Sequence, residues 1–283
     1  MKLSVITVTW NSKEHIGKQI ESVISGAENM SYEQIVIDNN SSDTTLDFIK
    51  EKYPDVICIQ NDTNTGFSHA NNQGYAIAKG EYLLFLNPDM HVEKDSLVKL
   101  VQWMDEHKDV GIVSPKLIDE QGNFNREASP RRFPKLSEQI ALLIKLPHLF
   151  PSILDNYLMK DFHEDTEQEV DSVRGAFMLV RREFLQELGF AFDPRYYIWY
   201  EDVDICREAK KHGWKVMYTP IISCVDFVGQ SFKKRTSLWK QKNFSKSMLV
   251  YFQKWEPWYT WMWIALFRPF GIGLAWLGEK ISK

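Results

Sequence analysis

Five short apolar runs at regular intervals open the sequence: LSVITVTW (3–10), EQIVIDNN (33–40), VICIQ (56–60), YLLFL (82–86) and VGIVS (110–114). Each is rich in β-branched or aliphatic residues and bounded by Asn, Asp, Ser or Gly, as strands are. The intervening stretches are long enough for helices, predicted over 13–25, after Ser42 or Asp43 as cap, over 68–79 and over 95–107. Parallel strands need such crossovers, whereas antiparallel ones do not. The expected architecture is therefore α/β, a mainly parallel sheet covered by helices on both faces. Ligands of such sheets collect at the carboxyl ends of the strands. Polar clusters stand at three of those ends: Thr9-Trp10-Asn11, Asp38-Asn39-Asn40 and Asn87-Pro88-Asp89.

Beyond residue 114 the pattern loosens. Residues 115–170 read as an irregular insertion near the acceptor side. SVRGAFMLVRR (172–182) resumes strand character, an aromatic loop leads into a helix over 203–212, and WKVMYTP (214–220) is a further strand. At 283 residues with 44% hydrophobic content, a substantial core can form. Three scattered cysteines without CxxC spacing argue against a disulfide framework or a zinc site and favour a reducing cytoplasm. The amino-terminal MKLSVITVTW reads as a strand, not a signal peptide. Neither GxGxxG nor GxxxxGK[ST] occurs, which removes the strongest support for dinucleotide oxidoreductases and P-loop enzymes.

Six stretches then carry a resemblance in order along about 210 residues: VITVTWN (5–11), VIDNNSSD (36–43), NTGFSHANNQG (64–74), FLNPD (85–89), VRGAFMLVRR (173–182) and YEDVDICREAKKHGW (200–214). Together they resemble the inverting nucleotide-sugar glycosyltransferases of family 2, with the GT-A fold, and in particular the bacterial rhamnosyltransferase-like branch that builds cell-surface polysaccharides. The resemblance implies transfer of a sugar, rhamnose from its dTDP donor or another sugar from a dTDP- or UDP-linked donor, to a saccharide or lipid-linked acceptor. A catalytically silent saccharide-binding protein of the same fold is the alternative.

The implied roles follow the chemistry. A leaving nucleoside diphosphate concentrates negative charge, and a divalent cation, Mg2+ or Mn2+ held by hard oxygens, offsets it. Asp89 matches the second aspartate of the family's DxD motif, with Asn87 in the first place; a simple turn is the bland alternative. Asp38 matches the residue that binds base or ribose, with Asp43 left as the better helix cap. Thr7, Thr9, Trp10, Asn11 and Asn40 are expected around the same pocket, Asn64 and Gly66 where backbone approaches the donor, and Asn71 near the diphosphate or sugar. Asp202 matches the general base that takes the acceptor hydroxyl's proton, with Glu201 beside it as orienting partner; its alternative role is the N-cap of the helix 203–212. Arg174, Gly175 and Trp199 are expected on the acceptor side. Where the family reads His-x-x-Gly-x-Ser, this chain has Asp226-Phe-Val-Gly229-Gln-Ser231, so Asp226 is a candidate second metal ligand.

The carboxyl-terminal part differs in character. Seven basic residues and no acid lie between Phe232 and Trp255, whereas residues 1–231 carry a net charge of −12. Residues 255–278 hold five tryptophans, and the longest uncharged run, 257–267, is too short to span a bilayer. Residues 1–231 are therefore read as the transferase domain and 232–283 as a basic, Trp-rich extension. It fits a peripheral anchor on the cytoplasmic, inner face of a bacterial plasma membrane. A helical pair packed on the core, or on a second subunit in a homodimer, is the alternative. The acidic body and the lack of a recognition motif exclude nucleic acid as a partner.

Overall fold

The computed structural model describes residues 1–227 and 235–281. Gly229, Ser231, Lys233 and Lys234 lie outside them. Strands β1 (Leu3–Thr9), β2 (Tyr32–Asp38), β3 (Ile57–Gln60) and β4 (Tyr82–Leu86) form an all-parallel block, order β3-β2-β1-β4. Helices α1 (Lys13–Gly26), α2 (Thr45–Lys52) and α3 (Phe67–Ile77) make the crossovers. After β4, the short β5 (Met90–Val92), the helix α4 (Ser96–Glu106) and β6 (Val110–Ile118) follow. β6 extends through the first four residues of the expected insertion.

The remaining elements are helix α5 (Leu136–Leu143), strands β7 (Gln168–Glu169) and β8 (Phe177–Arg181), helices α6 (Arg182–Leu188) and α7 (Glu201–Lys211), and strand β9 (Lys215–Asp226). β8 inserts antiparallel between β4 and β6, β6 and β9 run parallel, and β5 and β7 each pair antiparallel with β9. The parallel half thus continues into a mixed half. The sequence reading missed β5, whose three residues are too few for a periodicity. It is nevertheless the element that turns the Asn-Pro-Asp corner back toward β9.

Side chains alternate across the sheet with period two. Ile6, Leu83 and Phe85 enter one buried layer with Ala70 of α3, while Leu3, Val5, Tyr82 and Leu84 enter the opposite layer with α4. Both faces being covered explains why these strands read as nearly continuous apolar runs.

Two long helices close the chain: α8 (Ser237–Trp255) and α9 (Trp258–Ile281). Thr236 caps α8, its side chain accepting from the Trp239 amide at 3.2 Å. α8 buries Met248, Tyr251 and Phe252 against Tyr196, Tyr200, Val203 and Leu143, with Ile264 of α9 completing the cluster. α9 runs on through Pro269. At Gly271 an added Cβ would meet the Leu143 carbonyl at 2.6 Å, so glycine is what lets α9 cross the end of α5. No helix among the described residues is long and apolar enough to cross a membrane.

Candidate active site

A cavity of about 420 Å³ opens at the carboxyl ends of β1 and β4. Its lining draws in twelve of the residues singled out from sequence: Thr9, Trp10, Asn64, Gly66, Asn87, Asp89, Arg174, Gly175, Trp199, Glu201, Asp202 and Asp226. They come from six separate stretches of chain.

The β1 rim is built by Thr9 and Trp10. Thr9 is fully buried, and its hydroxyl oxygen has no hydrogen-bond partner among the described residues. Below it Thr7 accepts from Gln19 of α1 at 3.1 Å and does not line the cavity. Asn11 turns away from the cavity to bond the loop after β2, its side-chain oxygen accepting from the Ser42 amide at 2.7 Å.

Asp38 requires a correction. The expectation that capping by Asp43 leaves Asp38 free does not hold, because both carboxylates are engaged. Asp43 accepts from the amides of Thr45 and Lys13, each at 3.1 Å, while the helix cap itself is Thr44. Asp38, 1% exposed, accepts from the Ser41 amide at 2.9 Å and from its hydroxyl, and is not in the cavity wall. Asn40 is exposed, with φ 63°, in the same turn. The residue of this cluster that does reach the cavity is Asn39, which sequence reasoning passed over. Its amide oxygen accepts from Asn61 at 2.9 Å and from the Thr65 hydroxyl at 3.1 Å, and its amide nitrogen donates to the Gly66 carbonyl at 3.1 Å. Asn39 thereby fixes the NTG loop.

That loop is also clamped from the other side. The Tyr197 hydroxyl donates to Asn64 at 2.9 Å, and the Phe67 amide donates to the Tyr197 carbonyl at 2.7 Å. Gly66 has φ 88°, and a Cβ there would lie 2.4 Å from that carbonyl, so no other residue fits. Asn71 is buried on α3, donating to the Phe67 carbonyl of its own helix, and is not in the cavity wall. An Asn bonded back to its own turn satisfies itself locally.

Two carboxylates meet where β5 leaves the Asn87-Pro88-Asp89 corner. Met90 pairs with Asp226 across the β5–β9 ladder, and the Phe227 amide donates to the Asp89 carbonyl at 3.1 Å. Asp89 and Asp226 are each at least nine-tenths buried. Burial, and after it the charge of Asp89, pushes the Asp226 carboxyl up to about 6; Arg174 and an Asn125 amide donating at 3.1 Å partly offset this. Asn125 comes from the irregular segment, which had no sequence signal.

The third part is the start of α7. Trp199 and Tyr200 precede it with φ 66° and 70°, consecutive left-handed conformations that are costly for large side chains and occur where a site imposes them. The helix begins at Glu201 with Tyr200 as its cap, so Asp202 is not the N-cap the alternative required. The oxygens of Asp202 accept from the Gly175 amide at 3.2 Å and the Val203 amide at 2.9 Å, which sets its orientation toward the cavity. Glu201 is 6% exposed; burial first, and then Asp202, push its carboxyl well above the usual range, and one of its oxygens has no partner among the described residues.

The last wall was not foreseen. Arg235 and Trp239, from the extension, line the cavity, with the Arg235 guanidinium 3.9 Å from the Trp10 ring centre and 4.7 Å from that of Trp239. The available signal was an Arg and a Trp four apart at a helix start, a spacing that brings two side chains together.

With this geometry in place, comparison with known proteins gives a consistent answer. The GT-A type of fold recurs in solved structures of glycosyltransferases. One is Staphylococcus aureus TarS 1–349 in complex with UDP-GlcNAc (TM-score 0.58, 19% identity, 88% of this chain and 65% of that one). Another is the mannosyltransferase PcManGT from Pyrobaculum calidifontis in complex with GDP-Man and Mn2+ (TM-score 0.57, 18% identity, 97% and 72%). In sequence, the chain matches the profile of glycosyl transferase family 2 over residues 4–189, and it belongs to that family. Among its relatives are the rhamnosyltransferase WbbL of Escherichia coli (27% identical, 84% of this chain and 89% of that protein). The N-acetylglucosaminyl-diphospho-decaprenol L-rhamnosyltransferase of Mycobacterium tuberculosis is 26% identical over 77% of this chain and 73% of its own length. The protein is a glycosyltransferase similar to those that build cell-surface polysaccharides.

Proposed function

We propose that the cavity performs inverting transfer of a sugar from a nucleoside diphosphate to an acceptor hydroxyl, with Asp202 as general base. The observation that carries this is the gathering of Asp202 and the Asp89–Asp226 pair into the wall of one cavity. Asp202 is held by two backbone amides, which orient it while leaving oxygen lone pairs for an acceptor hydroxyl. Glu201, favoured in its protonated form by burial, stands beside it and positions it without competing for the proton.

The Asp89–Asp226 pair fits a divalent cation. Two carboxylates repel each other in a mostly buried corner, and that repulsion is part of what raises Asp226. Among the described residues no group of three or more His, Cys, Asp or Glu could hold a metal ion. Donor phosphate oxygens would complete the shell, as suits Mg2+ or Mn2+. When bound, such a cation offsets charge on the departing diphosphate. On the donor side, Thr9 offers a buried hydroxyl without a partner among the described residues, and Trp10 an aromatic face for the base.

The donor is read as dTDP-rhamnose, on the similarity to rhamnosyltransferases, and the acceptor as a lipid-linked saccharide, on the relative whose name specifies a diphospho-decaprenol. The protein would sit peripherally on the inner face of the bacterial plasma membrane. Trp258, Tyr259, Trp263, Leu266, Phe270 and Leu277 of α9 are all exposed, and they form the apolar side of an in-plane helix. The test is nucleoside diphosphate release across a panel of dTDP-, UDP- and GDP-sugars with Mn2+, Mg2+ or EDTA. Release above background from a dTDP-sugar, abolished by EDTA, is expected; release from none of the donors overturns the reading.

A further inference from the structure

We propose that the groove between α8 and α9 binds the phosphate of an anionic membrane lipid, docking the helical pair on the leaflet in one orientation. This rests on the membrane-seated reading above and gives it a defined site. The groove, about 530 Å³, is lined on the α8 side by Leu238, Lys242 and Leu249, and on the α9 side by Arg268, Pro269 and Trp276 among others. Its wall is therefore apolar with two cations, the composition that a lipid phosphate with the upper part of its acyl chains requires. Lys280 adds a third cation, 4.2 Å over the Trp276 ring.

The local charge is mainly positive. Glu279 of α9 and Glu256, the C-cap of α8, are the acids of residues 235–281. Glu256 pairs with Arg207 at 3.1 Å, and Glu279 accepts from the Leu238 amide. Lys242 is exposed, and Arg268 donates to the Ser245 hydroxyl at 3.2 Å; among the described residues neither pairs with a carboxylate. The groove also opens beside the apolar stripe. Successive helical residues are about 100° apart, so Phe270 of the stripe and the likewise exposed Leu274 stand next to Pro269 and Gly273 of the groove. A leaflet that takes the stripe into its acyl region therefore brings its headgroups to Lys242 and Arg268.

The test is sedimentation of the full-length protein with phosphatidylcholine vesicles, with and without phosphatidylglycerol, at physiological salt. Wild type is expected to bind only the anionic vesicles, and Lys242→Gln/Arg268→Gln to weaken binding by about tenfold or more. Lys240→Gln/Lys246→Gln removes the same charge from α8 outside the groove lining and is expected to cost several-fold less than the groove pair. Because Arg268 also touches Ser245, the single exposed change Lys242→Glu must lower affinity too, at unchanged thermal unfolding. Equal losses in the two double variants, or none in the groove pair, overturn the groove while leaving membrane seating intact. Wild type ignoring anionic vesicles overturns both. A groove pair that alters self-association but not vesicle binding assigns the groove to a second copy and overturns the lipid.

Discussion

Within its first turn, helix α7 satisfies two buried carboxylates differently. Glu201 is buried beside Asp202 with one oxygen lacking a partner among the described residues, and its carboxyl is driven well upward. Less than a turn further on, Asp204 is as deeply buried but fully engaged. It accepts from Lys254 at 2.7 Å, from the Trp255 indole at 2.7 Å and from the Tyr196 hydroxyl at 3.2 Å. Lys254 also pairs with Glu208 at 2.9 Å and Asp193 at 3.2 Å. Burial alone would raise Asp193, yet Arg195 and Lys254 hold it at about 2. Glu201 thus keeps one oxygen without a partner among the described residues, the state in which a carboxyl can hold a proton or take a ligand. Asp204 uses its charge to fasten α8 to the body.

Breaking the fastening cluster around Lys254 is expected to have the largest effect. Lys254→Met leaves three acids without their shared cation and should lower the unfolding free energy by about 3–5 kcal/mol, measured by urea denaturation. Retention of wild-type stability would show that the cluster is ornamental. In the cavity wall, Asp89→Ala should weaken nucleoside diphosphate binding in Mn2+ by about 2–3 kcal/mol, seen by calorimetry, with little effect on binding in EDTA. A loss of equal size in EDTA would make Asp89 a turn former.

A pH series sharpens the same contrast. In metal-free protein the Asp226 carboxyl lies at about 6, above its ordinary 3.8, through burial and the charge of Asp89. Its contribution to stability is therefore full below about 3.8 and is lost as pH rises through about 6. Mn2+ relieves that loss, so it should raise the melting temperature more at pH 7.5 than at pH 5. An equal rise at both would dissociate the cation from this pair. The smallest effect is expected for Glu201→Gln, which replaces a mainly neutral acid by a near-isostere: stability should change by less than about 1 kcal/mol. A larger loss would mean that Glu201 is ionised in the folded protein.

The contrast also accounts for what was legible in the sequence. The parallel block was readable because β1, β2 and β4 are mostly buried and the four strands are spaced by helices of ordinary length. Asp89 and Asp202 were locatable because strand ends and helix starts leave marks in the order of residue types. Asp38 was read as free, whereas a carboxylate at a strand end can bond its own loop, and Ser41, three residues on, is enough to engage it. Arg235, Trp239 and Asn125 were missed because they reach the cavity only through long-range packing. The extension read as separable from its charge and its tryptophans. In the structure α8 buries Met248, Tyr251 and Phe252 on the body, because half of its sequence is an apolar stripe that basic residues interrupt. Deleting residues 233–283 would thus expose a core cluster and strand Asp193, Asp204 and Glu208, so point variants are the better probes.

The most direct measurement sets Asp202→Asn against Asp204→Asn, two residues apart on one helix, each scored for transfer rate per folded molecule and for unfolding free energy. The expected result is a transfer loss of about 10²–10⁴-fold for Asp202→Asn, with donor affinity and stability near wild type. For Asp204→Asn the expected result is a clear loss of stability with transfer retained. Full turnover by Asp202→Asn, or a stability loss in it as large as that of Asp204→Asn, would contradict the division of the first turn of α7 between a working carboxylate and a fastening one.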